Sequence, residues 1–83
     1  MVVYLGEPVQ VEALFKKGGV VPRWFLYNGR KVLVNEITFS WKQQEGQHFQ
    51  HHFSVTDGVN LYDLAFQPEG LSWKLESIED ENP

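Results

Sequence analysis

Short runs rich in aromatic and β-branched residues, cut at near-regular intervals by glycine turns, constrain this chain more than any other feature. Asn28-Gly29, Glu45-Gly46, Asp57-Gly58 and Glu69-Gly70 fall roughly 12 to 17 residues apart, close to the rhythm of an all-β meander. Asn28-Gly29 is the strongest of these signals. A type I′ hairpin needs positive φ at both central residues, and Asn and Gly accept it at least cost.

The runs between the turns alternate in polarity, as half-buried strands do. Val9, Val11 and Ala13 share one side of a first strand, with Tyr4 to Gly6 a short lead-in. Pro22 to Tyr27 is the next strand, and Lys31 to Trp41 a long third one. In that third strand Leu33, Asn35, Ile37, Phe39 and Trp41 share one face and Val32, Val34, Glu36, Thr38 and Ser40 the other. Neither face is purely apolar, which predicts a bulge or sharp bend near Asn35-Glu36. His48 to Val55, Asn60 to Phe66 and Leu71 to Ile78 complete the set, and the acidic residues 79–83 read as a frayed tail. The expected fold is all-β: one domain over residues 1–83, an antiparallel meander of five to six strands curled into a partly open small barrel. The expected core is Val11, Phe25, Val34, Ile37, Phe39, Phe53, Val55, Leu61, Leu64, Trp73, Leu75 and Ile78.

Composition narrows the chemistry. The 83 residues contain no cysteine, which removes disulfides, thiolate metal sites and cysteine nucleophiles and fits a reducing, cytoplasmic setting. No apolar run approaches a membrane span of roughly 18 residues, and the first residues lack the basic and apolar regions of a secretory signal. The net charge of −4 does not favour nucleic acid. It is unevenly spread: residues 1–42 carry six cations against three carboxylates, residues 43–83 one cation against eight.

From Gly6 to Asp80 the chain resembles a small bacterial domain-of-unknown-function family. The residues that carry the resemblance are Gly6-Glu7-Pro8, then Pro22-Arg23, Phe25, Asn28-Gly29-Arg30-Lys31, Val34, Ile37 and Trp41. The aromatic strand His48 to Val55 and the closing Trp73-Lys74-Leu75-Glu76 with Ile78 complete the pattern. Tyr27 stands where the family has Trp before its turn, and Leu33 lies near its usual Tyr. The family is found alone or beside Y-family DNA polymerase-like and DNA-repair proteins. The resemblance implies a cytoplasmic accessory domain in a DNA-maintenance context, and it carries no catalytic residue over.

Each candidate chemistry has a plainer reading beside it. His48, His51 and His52 suggest a metal cluster, but adjacent strand residues point to opposite faces. His48 and His52 share a face about 13 Å apart, too far for one ion with ligands at about 2.0–2.1 Å. The plainer reading is an exposed polar face of His48, Gln50 and His52 with His51 half-buried, and no metal or cofactor. No Gly-x-Ser-x-Gly elbow or phosphate-binding glycine loop is present, so a non-enzyme is expected. A concave pocket holding His51 or His52 beside a carboxylate such as Asp63 would argue the other way.

Arg23, Trp24, Tyr27, Arg30, Lys31, Trp41 and Lys42 interleave basic and aromatic residues. On an open sheet such a set suits either of two partners. Aromatic residues with arginine at the rim are what protein interfaces favour, and an open meander offers edge strands to a partner or a second copy. Alternatively, cations tracking phosphates and rings stacking on bases hold single-stranded nucleic acid. The expectation is a non-enzymatic binding or adaptor module for a protein partner, with direct single-strand binding as the alternative.

Overall fold

The computed structural model describes residues 1–80. Seven strands run through them: β1 (Val2–Lys16), β2 (Gly19–Tyr27), β3 (Arg30–Leu33), β4 (Glu36–Glu45), β5 (His48–Thr56), β6 (Asn60–Gln67) and β7 (Ser72–Asp80). All pair antiparallel in one open sheet of order β3-β2-β1-β7-β6-β5-β4. No helix among the described residues is long and apolar enough to cross a membrane.

The all-β antiparallel expectation holds, with two corrections. The strands number seven because Lys31 to Trp41 is not one strand. It divides at Val34-Asn35 into β3 and β4, which lie at opposite edges of the sheet. The order is also not a simple meander, because β1 sits in the middle. Residues Val2–Val9 of β1 pair with β7, and Gln10–Lys16 pair with β2. Each paired residue thus has its partner on one side only, and the strand passes from one wing of the sheet to the other. The expected lead-in, Tyr4 to Gly6, is part of this strand.

The handover at β1 turns the wings toward each other. Phe25 of β2 meets Tyr62 of β6 edge to face, centroids 5.2 Å apart, and Phe15 of β1 meets Phe66 of β6 at 5.8 Å. The link between β3 and β4 ties the wings at one end: the Val34 N–H donates to the Arg23 carbonyl at 2.9 Å, and the next N–H, Asn35, donates to the Thr56 carbonyl at 2.8 Å. The β3 and β4 edges themselves do not pair.

One core fills the concave side: Phe25, Val32, Phe53, Val55, Tyr62, Leu64, Phe66, Trp73 and Leu75, flanked by half-buried Val11, Val34, Ile37 and Ile78. Of the expected core, Leu61 is half-buried and Phe39 is 64% exposed. The reason is a bulge. Ile37 opposes Val55, but Phe39 opposes Ser54, so Thr38 is an extra residue that flips the alternation. Ile37 therefore faces the core and Phe39 faces out. The predicted irregularity falls where the mixed faces suggested it, as the break at Val34-Asn35 between β3 and β4, and the Thr38 bulge is a second one just beyond it. A similar extra residue, Arg23, sits in β2 between Pro22 and Trp24.

The turns follow their chemistry. Asn28 and Gly29 both have positive φ, 51° and 74°, as a type I′ hairpin requires. Residues Glu79 and Asp80 are not frayed: they pair with Val2, Leu61 and Asn60. The rest of the expected tail, residues 81–83, lies outside the described residues. The uneven charge of the sequence persists in space, because β3-β2-β1 and β7-β6-β5 are contiguous blocks.

Candidate functional site: a groove across the outer face

The split of Lys31 to Trp41 also divides the basic and aromatic residues that the sequence suggested as a single surface. Arg23, Trp24, Tyr27, Arg30 and Lys31 lie on the β2–β3 hairpin, and Trp41 and Lys42 lie on β4 at the far edge. Within the first group the side chains are largely engaged with one another or with the core. The Lys31 ammonium stands 4.4 Å above the Trp24 ring, a cation–π contact that occupies that aromatic face. Tyr27 packs half-buried against the core. Arg23 is the exposed extra residue of the bulge. Arg30 pairs with Tyr27 and is exposed. In the second group Trp41 and Lys42 point to opposite faces, since Trp41 pairs with His52 and Lys42 with His51.

The outer face carries a different assembly. Cross-strand neighbours share a face, so the register reads directly as rows. One row runs Trp41, His52, Ala65, Lys74, Pro8; the next runs Phe39, Ser54, Asp63, Ser77, Tyr4. Two bulges shape the space between them. Glu76 is the extra residue of β7 between Ser77 and Leu75. On β1 the register slips between Tyr4 and Glu7, where Gly6 has φ of 65°.

The result is a groove of about 460 Å³. Trp41 and Gln43 line its β4 side, Tyr4, Leu5 and Gly6 its β1 side, and His52, Asp63, Glu76 and Ser77 the strands between. Four inter-strand spacings separate β4 from β1, roughly 19 Å.

His52 organises the floor. The plain expectation of an exposed His48–Gln50–His52 face is wrong for His52, which is 5% exposed. Its ring stacks on Trp41, centroids 4.8 Å apart and planes within 10°, while its other cross-strand neighbour is the small Ala65. Nδ1 lies 3.1 Å from Asp63 Oδ1. Nε2 is buried without a hydrogen-bond partner. Phe39 tilts against Trp41 at 5.6 Å and extends the aromatic wall along the edge.

The other histidines are separate. His48 contacts Glu69 at 2.7 Å, linking the tip of the β4–β5 hairpin to the β6–β7 turn. His51 points the other way from His52 and is half-buried; burial first, then the Lys42 charge, lowers its pKa. No three metal-ligating side chains gather among the described residues.

A concave site with His52 beside Asp63 is the arrangement that would argue for catalysis. A general base, however, must present its free nitrogen to a proton on the substrate. His52 has Nδ1 against Asp63 at 3.1 Å, and its Nε2 is buried without a partner.

Sequence reasoning named His52, Asp63 and Trp41 separately and missed the groove that unites them. Tyr4, Phe39 and Glu76 were not read as site residues. Bulges at Thr38 and Glu76 decide which way these side chains point, and those bulges exist only in the strand pairing. Neither a family model, nor a curated protein, nor a solved structure matches this chain.

Proposed function

We propose that this domain is a non-enzymatic binding module that takes a protein partner as an added strand on the β4 edge. In this reading the curled, open sheet is a half-barrel, and its unpaired side is the working feature. One observation carries the proposal: β4 is a ten-residue edge strand, exposed at every position but Ile37, with Phe39 64% and Trp41 36% exposed beside each other on the outer face. A long edge with apolar side chains invites strand pairing. An extended peptide would gain main-chain hydrogen bonds from the edge and specificity from alternate side chains. The ring of Trp41 already rests on His52, so it is held in place for contact, which lowers the ordering cost of binding.

The sealed Nε2 of His52 supports the non-enzymatic half of the reading. The resemblance of the sequence would place the partner among cytoplasmic DNA-maintenance proteins. A second copy of the chain is the simplest partner to test.

Sedimentation across a range of protein concentrations, with the wild type and Phe39→Lys, tests self-pairing; a displayed random-peptide library tests a foreign strand. The expected result is self-association or selected peptides that perturb the β4 amides, lost in Phe39→Lys. A monomer whose selected peptides perturb amides elsewhere would overturn it. So would binding to a single-stranded oligonucleotide that is strong at about 50 mM salt and collapses at about 200 mM, the mark of phosphate contacts.

A further inference from the structure

The outer-face groove shares Trp41 with the β4 edge but extends across to β1, and its chemistry points to a ligand of its own. Its ends are aromatic and its middle is acidic. Trp41 and Tyr4 stand on opposite sides, with Asp63 and Glu76 between them. Asp63 is only partly exposed, and Glu76 sits half-buried on its bulge. Lys74 stands on this face in the Trp41–His52 row, beside Ala65, and is not among the residues that line the groove. The carboxylates attract an organic cation by charge, and a cation that also reaches one of the rings gains from its negative face.

We infer that this groove binds an organic cation headgroup, the guanidinium or alkylammonium of a basic side chain. The size supports this: about 460 Å³ lies within the range of small-molecule pockets and exceeds what a bare metal ion needs. The donor set supports it too. Isolated carboxylates on neighbouring strands, with no third ligand among the described residues, do not make a metal site, whereas they suit the several N–H donors of a guanidinium.

The state of His52 adds an independent observation. A side chain 5% exposed keeps Nε2 without a partner, and a buried polar atom of this kind costs stability. Trp41 covers that ring from an edge strand and is itself partly exposed. The Asp63 carboxylate, fixed on the other nitrogen at 3.1 Å, would stay in place to meet the charge.

The inference stands apart from strand addition, since a side chain in the groove need not come from a strand paired to β4. Two-dimensional NMR of the full chain separates the two. The probes are N-acetyl-arginine amide, N-acetyl-lysine amide and, as a free amine, butylammonium, each titrated at constant ionic strength. N-acetyl-glutamine amide serves as the neutral control. The expected result is shifts at Trp41, His52, Asp63 and Ser77 with the cations and none with the control. Glu76→Gln should weaken binding roughly five- to tenfold, the effect of losing about 1–1.4 kcal/mol of charge attraction.

Preference for the amino-acid amides over butylammonium would identify a basic side chain as the ligand; the reverse would overturn that source and leave a free amine. No shift at the groove residues from any cation, in a protein whose spectrum shows it folded, would overturn the inference. So would equal binding of the neutral control, or a Glu76→Gln variant that binds as wild type does.

Discussion

The two edges of this sheet are built on opposite plans. The β3 edge is four residues long, follows a tight Asn28-Gly29 turn, and carries Arg30 and Lys31. Lys31 lies over Trp24 and Val32 is buried, so this edge is short, charged and anchored. Those are the usual devices by which an edge avoids pairing. The β4 edge is ten residues long, has a single lysine near its middle, and turns Phe39 and Trp41 outward. Its only hold on the core is half-buried Ile37. The difference teaches that the second edge was not left open for want of means. The same chain closes one edge and leaves the other available.

The comparison breaks most visibly in the energetics. Phe25 is fully buried against Tyr62 beneath the β2–β3 wing. Phe25→Ala should cost about 3–5 kcal/mol, a large share of the total stability of a domain this size, for which about 4–12 kcal/mol is typical. Phe39→Ala on β4 should stay within about 0.5 kcal/mol, as exposed substitutions do. Urea denaturation of the two variants measures both. A Phe39→Ala loss approaching that of Phe25→Ala would mean that β4 is anchored after all and the contrast between edges is false.

The fold class was legible because turn chemistry and alternation are local. Asn28-Gly29 and Asp57-Gly58 are readable without the structure, and six of the expected core residues, Phe25, Phe53, Val55, Leu64, Trp73 and Leu75, are buried, whereas the expectation of both Leu61 and Leu64 ignores that they alternate and leaves out Tyr62 and Phe66. What the sequence hid is set by pairing. Lys31 to Trp41 reads as one strand, yet its two halves serve opposite edges, because nothing local says which neighbour each will choose. Its mixed faces were a true sign of the break at Val34-Asn35, but the Thr38 bulge is located by the opposite strand. The same blindness moved Phe39 into the expected core. It also hid the groove, whose members come from β1, β4, β5, β6 and β7.

Asp57 sharpens the comparison from beneath the anchored wing. Its carboxylate accepts the Val59 and Asn60 N–H groups, each at 2.8 Å, and the Tyr62 hydroxyl at 2.9 Å, and so fixes the ring that Phe25 packs on. Burial is the largest single influence on its pKa and acts upward, but the Asn60, Val59 and Tyr62 hydrogen bonds together outweigh it, and the net shift is down. Between the folded and unfolded pKa values the unfolded chain binds the extra proton. The contribution is therefore complete above the unfolded value, near 3.9, and is lost as pH falls through the lower folded value. Asp57→Ala should cost about 2 kcal/mol at neutral pH, from lost turn hydrogen bonds. It should also flatten the stability–pH curve below pH ~4. Denaturation midpoints at neutral and acid pH measure this, and a wild-type and variant separated by a constant gap down to the acid limit would reject it.

The smallest effects come from two turns that use positive φ differently. Gly29, in the anchored hairpin, has φ of 74° with open space where a Cβ would go. Gly29→Ala should therefore cost about 1–2 kcal/mol by conformation alone, without any clash. Leu71, in the turn before β7, has φ of 50° and is 74% exposed. It bears the same backbone cost with almost no burial to offset it. Glycine would remove a strain of about 1–2 kcal/mol and add about 0.5–1 kcal/mol of unfolded-state entropy. Leu71→Gly should thus stabilise by roughly 0.5–1 kcal/mol, the difference between those two terms. This turn also holds Glu69, the partner of His48 at the tip of the β4–β5 hairpin. If Leu71→Gly raises the thermal midpoint and leaves strand addition at β4 unchanged, the strain is incidental. If it raises the midpoint but weakens partner binding, the turn helps pose the open edge through Glu69, and the difference between the two edges extends into the turn beside it.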